Sequence, residues 1–173
     1  VTTLEPKPRM AIQLEITFRL ARADDLPKLE WYGQYTHFRN VFKQTYRAQI
    51  EGSRLMLLAD CNHFPIGQLF MHVGGRTQQR TYFYSLRVME HFRGQGIGSR
   101  LLQEGEAIAL TYGYQAASIA AAKNNPRARE LYERIGYHIV SQDDGRWSYI
   151  DHEGRTRHVH EPCWVLEKRL MMR

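Results

Sequence analysis

No apolar run in this chain approaches the roughly 20 residues needed to span a bilayer, and Arg22, Asp24, Asp25, Lys28 and Glu30 interrupt the early segment. A membrane anchor is not expected. Residues 1–9 lack the apolar middle of a secretory signal and carry Pro6 and Pro8. Residues 1–13 are therefore expected to form a flexible arm, and residues 14–173 a single domain with a cytoplasmic address. Cysteine is scarce: Cys61 and Cys163 are too few for a disulfide framework. No histidines stand at ligand spacing beside them, so free thiols and no metal are expected. Also missing is a long basic tract or a nucleic-acid motif. The net charge of +6 is scattered over residues such as Arg76, Arg80, Arg87, Arg93, Arg100, Arg127, Arg129 and Arg134. Charge alone would suit nucleic acid or a cofactor carrying several phosphates equally well; scattered in this way it reads by default as a solvated surface, and no nucleic-acid partner is expected.

What is present is the composition of a globular protein, 43% hydrophobic over 173 residues, in short segments of changing period. Ile16 and Phe18 alternate with polar neighbours and predict a strand over residues 15–19, after which Asp24 reads as the N-cap of a helix start. Mixed helical spacing of Leu29, Trp31, Tyr35, Phe38, Phe42 and Tyr46 predicts two helices between Pro27 and Glu51. Residues 54–59 and 66–73 predict a hairpin closed by Asn62-His63-Phe64-Pro65, residues 74–79 a second turn, and residues 81–88 an aromatic and β-branched strand. A helix over residues 99–112 stopped by Gly113 and a strand over 116–121 come next. A helix from Asn125-Pro126 to about Ile135, ended by Gly136, and late strands near 137–140, 147–150 and 163–166 complete the pattern.

Between the strand at 81–88 and the helix that follows lies Arg93-Gly94-Gln95-Gly96-Ile97-Gly98. Glycines let the backbone approach a ligand, and a helix N-terminus leaves N–H groups unpaired and electropositive, a combination that binds phosphate. The loop lacks the Gly-Lys-Ser/Thr ending of a nucleoside triphosphate loop and does not follow G-x-G-x-x-G. Its bland alternative is a turn that only packs strand on helix. The chain then continues to Asn125-Pro126-Arg127-Ala128-Arg129-Glu130-Leu131-Tyr132-Glu133-Arg134-Ile135-Gly136-Tyr137. Together the two segments resemble the Q/R-x-x-G-x-G/A and N-x-x-A-x-x-L-Y-x-x-x-G-F/Y signatures of the GNAT acetyltransferase superfamily, over about residues 86–137.

The resemblance implies an α/β (α+β) fold with a mixed, mostly antiparallel central sheet flanked by helices. It implies acetyl-CoA as cosubstrate and direct acetyl transfer to a primary amine of a small molecule or peptide. It also places the backbone of Leu86 and Val88 against the pantetheine arm, and Arg93, Gly94, Gln95, Gly96, Ile97, Gly98 and Ser99 against the pyrophosphate. Asn125 is expected to touch the cofactor, with simple helix capping as the competing role. The Val88 N–H would stabilise the oxyanion. Tyr132 would protonate or hydrogen-bond the departing sulfur, against a competing role in packing Leu131 and Ile135.

Some family members carry a glutamate base where spacing here gives Tyr82. A water oriented by Tyr82 or Tyr84 is the first expectation, and His72 is an alternative. The helices between Trp31 and Tyr46 and the excursion from Trp147 to His160 fall where the family shapes its acceptor side. There Asp143, Asp144, Asp151, Glu153 and Glu161 read as attractors of a cationic amine or, more simply, as surface charge. A homodimer is an expectation of the family alone. The competing function is a catalytically weak acyl-CoA sensor on the same fold, with nucleic-acid binding behind it.

Overall fold

The computed structural model describes residues 8–74 and 79–171. The expectations for residues 1–7 of the arm and 75–78 of the second turn lie outside these; residues 8–15 have no regular secondary structure. Strands β1 (Ile16–Leu20), β2 (Arg54–Cys61), β3 (Phe64–His72), β4 (Arg80–Val88), β5 (Ala116–Ala122), β6 (His138–Asp143) and β9 (Cys163–Arg169) form one sheet, ordered β1-β2-β3-β4-β5-β9-β6. Strands β7 (Arg146–Ile150) and β8 (Thr156–His160) form a separate hairpin. Every pairing in the large sheet is antiparallel except that of β4 with β5.

Side chains alternate across a strand, so β2 sends Leu55, Leu57 and Ala59 to one face of the sheet and Met56 and Leu58 to the other. Helices α2 (Ile97–Thr111) and α3 (Pro126–Arg134) cover the first face, where Leu101 and Leu102 pack with Leu69, Phe83 and Ile119. Helix α1 (Arg39–Ile50) covers the second, where Phe42 meets Met56, Leu58 and Phe70. Covering both faces explains why residues 55–59 read as an unbroken apolar run. Each large side chain fully buried this way contributes about 1.5–3 kcal/mol. Helix α2 sits close to the sheet at Gly105, where an added Cβ would stand 2.8 Å from Leu69 Cδ2.

Several local expectations are corrected. Asp24 lies inside a 3-10 turn, Ala23–Asp25, whose N-cap is Arg22. It is Asp25 that accepts the Arg22 N–H at 2.8 Å and pairs with Arg19 at 2.7 Å. Of the two helices expected after Pro27, only α1 is α-helical. The first is broken into 3-10 turns, Lys28–Glu30 and Thr36–Phe38, because Trp31, Tyr32 and Gly33 take positive φ of 42°, 57° and 99°. The β2–β3 turn is only Asn62-His63, with φ of 51° and 63°, and Phe64 and Pro65 already belong to β3. Helix α2 starts at Ile97 rather than Ser99. Among the described residues no helix is long and apolar enough to cross a membrane.

Candidate functional site

Strands β4 and β5 pair only from Arg80 to Phe83, against Ala116 to Ile119. Beyond that point β5 follows β9, with Ala120 opposite Val165 and Ala122 opposite Cys163, while β4 stays with β3. The strands part, and a cleft of about 1460 Å³ opens through the sheet. The Met89 N–H donates to Ile66 O at 2.8 Å. Antiparallel pairing alternates, so the N–H and C=O of Val88 point the other way, to the edge β5 has left. The Val88 carbonyl accepts Arg93 Nε at 2.9 Å.

A bulge shapes this stretch of β4. Phe70 stands opposite Tyr84 and Gln68 opposite Arg87, so Leu69 alone faces two residues, Ser85 and Leu86. Ser85 adopts φ 53°, and its carbonyl accepts Gln68 Nε2 at 3.1 Å. One extra residue inverts the alternation. Phe83 points to the α2 face, and after the bulge Leu86 and Val88 do so, which leaves Arg87 on the α1 face with Tyr84.

At the end of the cleft beside α2, Gly94 and Gly96 take φ of 74° and 82°, and Gly96 is the N-cap of α2. Arg100 N–H donates to Gly96 O at 3.0 Å, so the N–H groups of Gly96, Ile97, Gly98 and Ser99 precede the first intrahelical donor. No acidic residue lies in the first turn. A Cβ at Gly94 or Gly96 would meet nothing within 4 Å, the mark of an open cradle. Arg93, Gly94, Gly96, Ile97, Gly98, Ser99, Leu86 and Val88 all line the cleft together with Asn125. Gln95 is exposed and stands outside it. Asn125 caps α3, its Oδ1 accepting Ala128 N–H at 3.2 Å, so the competing capping role is present at a residue that also lines the cleft.

Tyr132 lines the same cleft at only 5% exposure. Burial, and then Tyr82, push its phenol above the ordinary value of 10. Tyr82 and Tyr84 stack at 5.9 Å with 6° between their planes, and burial raises both. The Tyr84 hydroxyl accepts Arg54 Nη1 at 2.8 Å. His72 also meets Arg54 Nη1 through its Nε2, and burial followed by that cation drops its pKa to about 4. His72 is therefore neutral at pH 7 with a lone pair directed at a guanidinium, a poor position for a base.

The end of the cleft beside the β7–β8 hairpin was only coarsely visible in the sequence. Helix α1 and the β7–β8 hairpin bring Phe38, Trp147 and Tyr149 together, with ring centroids 4.9 Å apart for Phe38 and Tyr149 and 6.3 Å for Phe38 and Trp147. The Arg87 guanidinium lies over Tyr35 at 4.5 Å and over Phe38 at 4.8 Å. Of the five late carboxylates, Asp143 and Glu161 line the cleft. Asp151 is 1% exposed and accepts the N–H groups of Glu153 and Arg155 and the Arg157 Nε, while Asn40 Nδ2 donates to its carbonyl at 2.6 Å. It ties the hairpin to α1. Asp144 pairs with Arg146 and His160, and Glu153 with Arg155.

The model of the Acetyltransferase (GNAT) family matches residues 20–137. The chain belongs to the GNAT acetyltransferase family. Thialysine N-epsilon-acetyltransferase of Bos taurus is 32% identical to this GNAT chain over 75 residues, 43% of the chain and 44% of that protein. The chain thus spans less than half the length of the curated relatives it matches. An N-acetyltransferase from Staphylococcus aureus superposes with a TM-score of 0.70 at 15% identity, over 91% of this chain and 99% of that one. Arabidopsis thaliana NAA60, solved in complex with acetyl-CoA, gives 0.67 at 18%, over 90% and 99%. At such identities the solved structures share the GNAT fold and carry no substrate over to this chain. The mixed seven-stranded sheet with flanking helices is that fold.

Proposed function

We propose that this GNAT chain is an acetyl-CoA-dependent N-acetyltransferase that acts on a primary amine by direct transfer. The observation that carries the reading is the parting of β4 from β5 beside the open N-terminus of α2. One cleft then offers a strand edge to the amide-bearing pantetheine arm, backbone N–H groups to the pyrophosphate, and an aromatic chamber to the acceptor. Arg93, Arg127 and Arg134 add positive charge along its wall.

A neutral amine attacks the thioester carbon, the C–N bond forms, and the oxygen collects charge that the Val88 N–H is placed to stabilise. The C–S bond breaks as Tyr132 donates a hydrogen bond to the sulfur. Burial keeps the phenol protonated but makes full proton transfer to a thiolate, whose conjugate thiol has a pKa of about 8.5, uphill. Tyr132 therefore acts first as a hydrogen-bond donor. The amine proton leaves through a water oriented by Tyr82, with Tyr84 held by Arg54 behind it. A cytoplasmic address, where thiols such as Cys61 and Cys163 stay reduced, accompanies this reading.

Release of free coenzyme A across a panel of amines tests the reaction. Tyr132→Phe is expected to lower turnover by about a hundredfold while acetyl-CoA still binds. Unchanged turnover across pH removes Tyr132 from the role, and acetyl-CoA binding without thiol release for every amine removes the enzyme reading in favour of a sensor.

A further inference from the structure

The acceptor chamber holds a cation whose N–H groups the fold leaves unanswered. Of the arginines that line the cleft, Arg54 is engaged by Tyr84, Arg93 by the Val88 carbonyl and Arg146 by Asp144, while Arg127 and Arg134, on α3, have no side-chain partner among the described residues. Among the described residues Arg87 has no hydrogen-bond or ion-pair partner. Glu161 acts on it only from beyond ion-pair distance. What it does have is two ring faces, Tyr35 and Phe38, themselves stacked 15° from parallel at 6.2 Å. Stacking satisfies the face of a guanidinium but none of its five in-plane donors. No buried side-chain nitrogen among the described residues lacks a partner, so the unanswered Arg87 donors are those that open to the cleft it lines.

A guanidinium seated over two rings, with donors left free, can take a planar anion in bidentate fashion. Burial pushes the Arg87 pKa below its ordinary value, a penalty on the charged form that an anion would offset. His37, beside Phe38, is lowered first by burial and then by Arg87. A second positive charge is therefore unwelcome here, which disfavours a polyamine. Arg87 also adjoins Val88, whose main chain faces the donor, so its anion would be held one residue from the reacting centre.

We propose that Arg87 binds a carboxylate of the acceptor, so that the amine belongs to an amino acid or related aminocarboxylate whose apolar body rests on Phe38, Trp147 and Tyr149. The amine part of this inference rests on the acetyltransferase reading; the carboxylate part rests on Arg87 alone.

Calorimetry with the full chain and coenzyme A, which has no acyl group to transfer, tests it through two matched pairs: phenylalanine against phenylalaninamide, and γ-aminobutyrate against γ-aminobutyramide. The acid of at least one pair is expected to bind about tenfold or more tightly than its amide. Arg87→Gln should bring that ratio close to one, and Arg87→Lys, which keeps the charge but loses the fork, should retain only part of it. Equal binding of acid and amide in both native pairs overturns the proposal, and this comparison needs no variant to fold. So does an acid preference that survives intact in a folded Arg87→Gln protein. Coenzyme A release from acetyl-CoA is followed in parallel. Acid-selective binding without release keeps the carboxylate site and removes the transferase reading; release without acid selectivity does the reverse.

Discussion

At the α2 end of the cleft the groups open to a ligand belong to the main chain: the outward edge of Val88 and the N–H groups from Gly96 to Ser99. At the end beside the β7–β8 hairpin they are side chains gathered from separate segments, with Phe38 ahead of α1, Arg87 on β4, and Trp147 and Tyr149 on β7. A main-chain site tolerates most substitutions but requires particular backbone angles, so it concentrates its demands on glycine. A side-chain site has no such local rule, and its members matter one by one.

The largest expected effect that separates the two ends comes from Gly96→Val. A β-branched residue at φ 82° costs roughly 1–2 kcal/mol in backbone strain, and its side chain fills the cradle where phosphate would approach. Acetyl-CoA affinity by calorimetry should fall about tenfold or more. Retained affinity would break the assignment of the main-chain site.

A smaller effect concerns stability and follows from His72, beside Arg54 and Tyr84. Its folded pKa of about 4 lies below its ordinary 6.5, so the unfolded chain binds more protons between these values. The stabilisation from keeping His72 neutral is therefore complete above pH 6.5, is lost as pH falls towards 4, and changes no further below that. Because the ring is only half-buried, solvent screening reduces the effect to about 1 kcal/mol. Unfolding free energies in urea at several pH values should show this slope, and His72→Gln should flatten it. An unchanged slope would move the titration elsewhere.

The smallest is Ser85→Gly. Relief of the positive φ at 53° should raise stability by up to about 1 kcal/mol, read by urea unfolding. A loss instead would show that the Ser85 side chain itself holds the bulge.

The same contrast decides what the sequence made legible. The strand, glycine loop and helix from β4 to α2 are contiguous, so composition and spacing were enough to find these elements and their order, with only the helix start displaced by two residues, from Ser99 to Ile97. Arg87 was noticed only as one of many scattered cations. Simple alternation from Phe83 would place it on the α2 face, and nothing in Tyr84-Ser85-Leu86 announces the bulge that turns it round. Asp151 likewise read as surface charge or an amine attractor, because its partners Asn40 and Arg157 come together only through folding. Trp31 and Tyr32, which interrupt the expected first helix, carry no sign in their residue type of the positive φ they adopt.

The bulge at Ser85 has an evolutionary side. It turns two adjacent residues to opposite faces, so that under the proposed readings Val88 would serve the donor through atoms common to every amino acid, while Arg87 would serve the acceptor through atoms that mutation is free to replace. Under that proposal position 87 is a dial on acceptor choice that turns without disturbing the shared donor, and descendants of this chain could trade one class of acceptor for another there while the glycine loop stayed as it is.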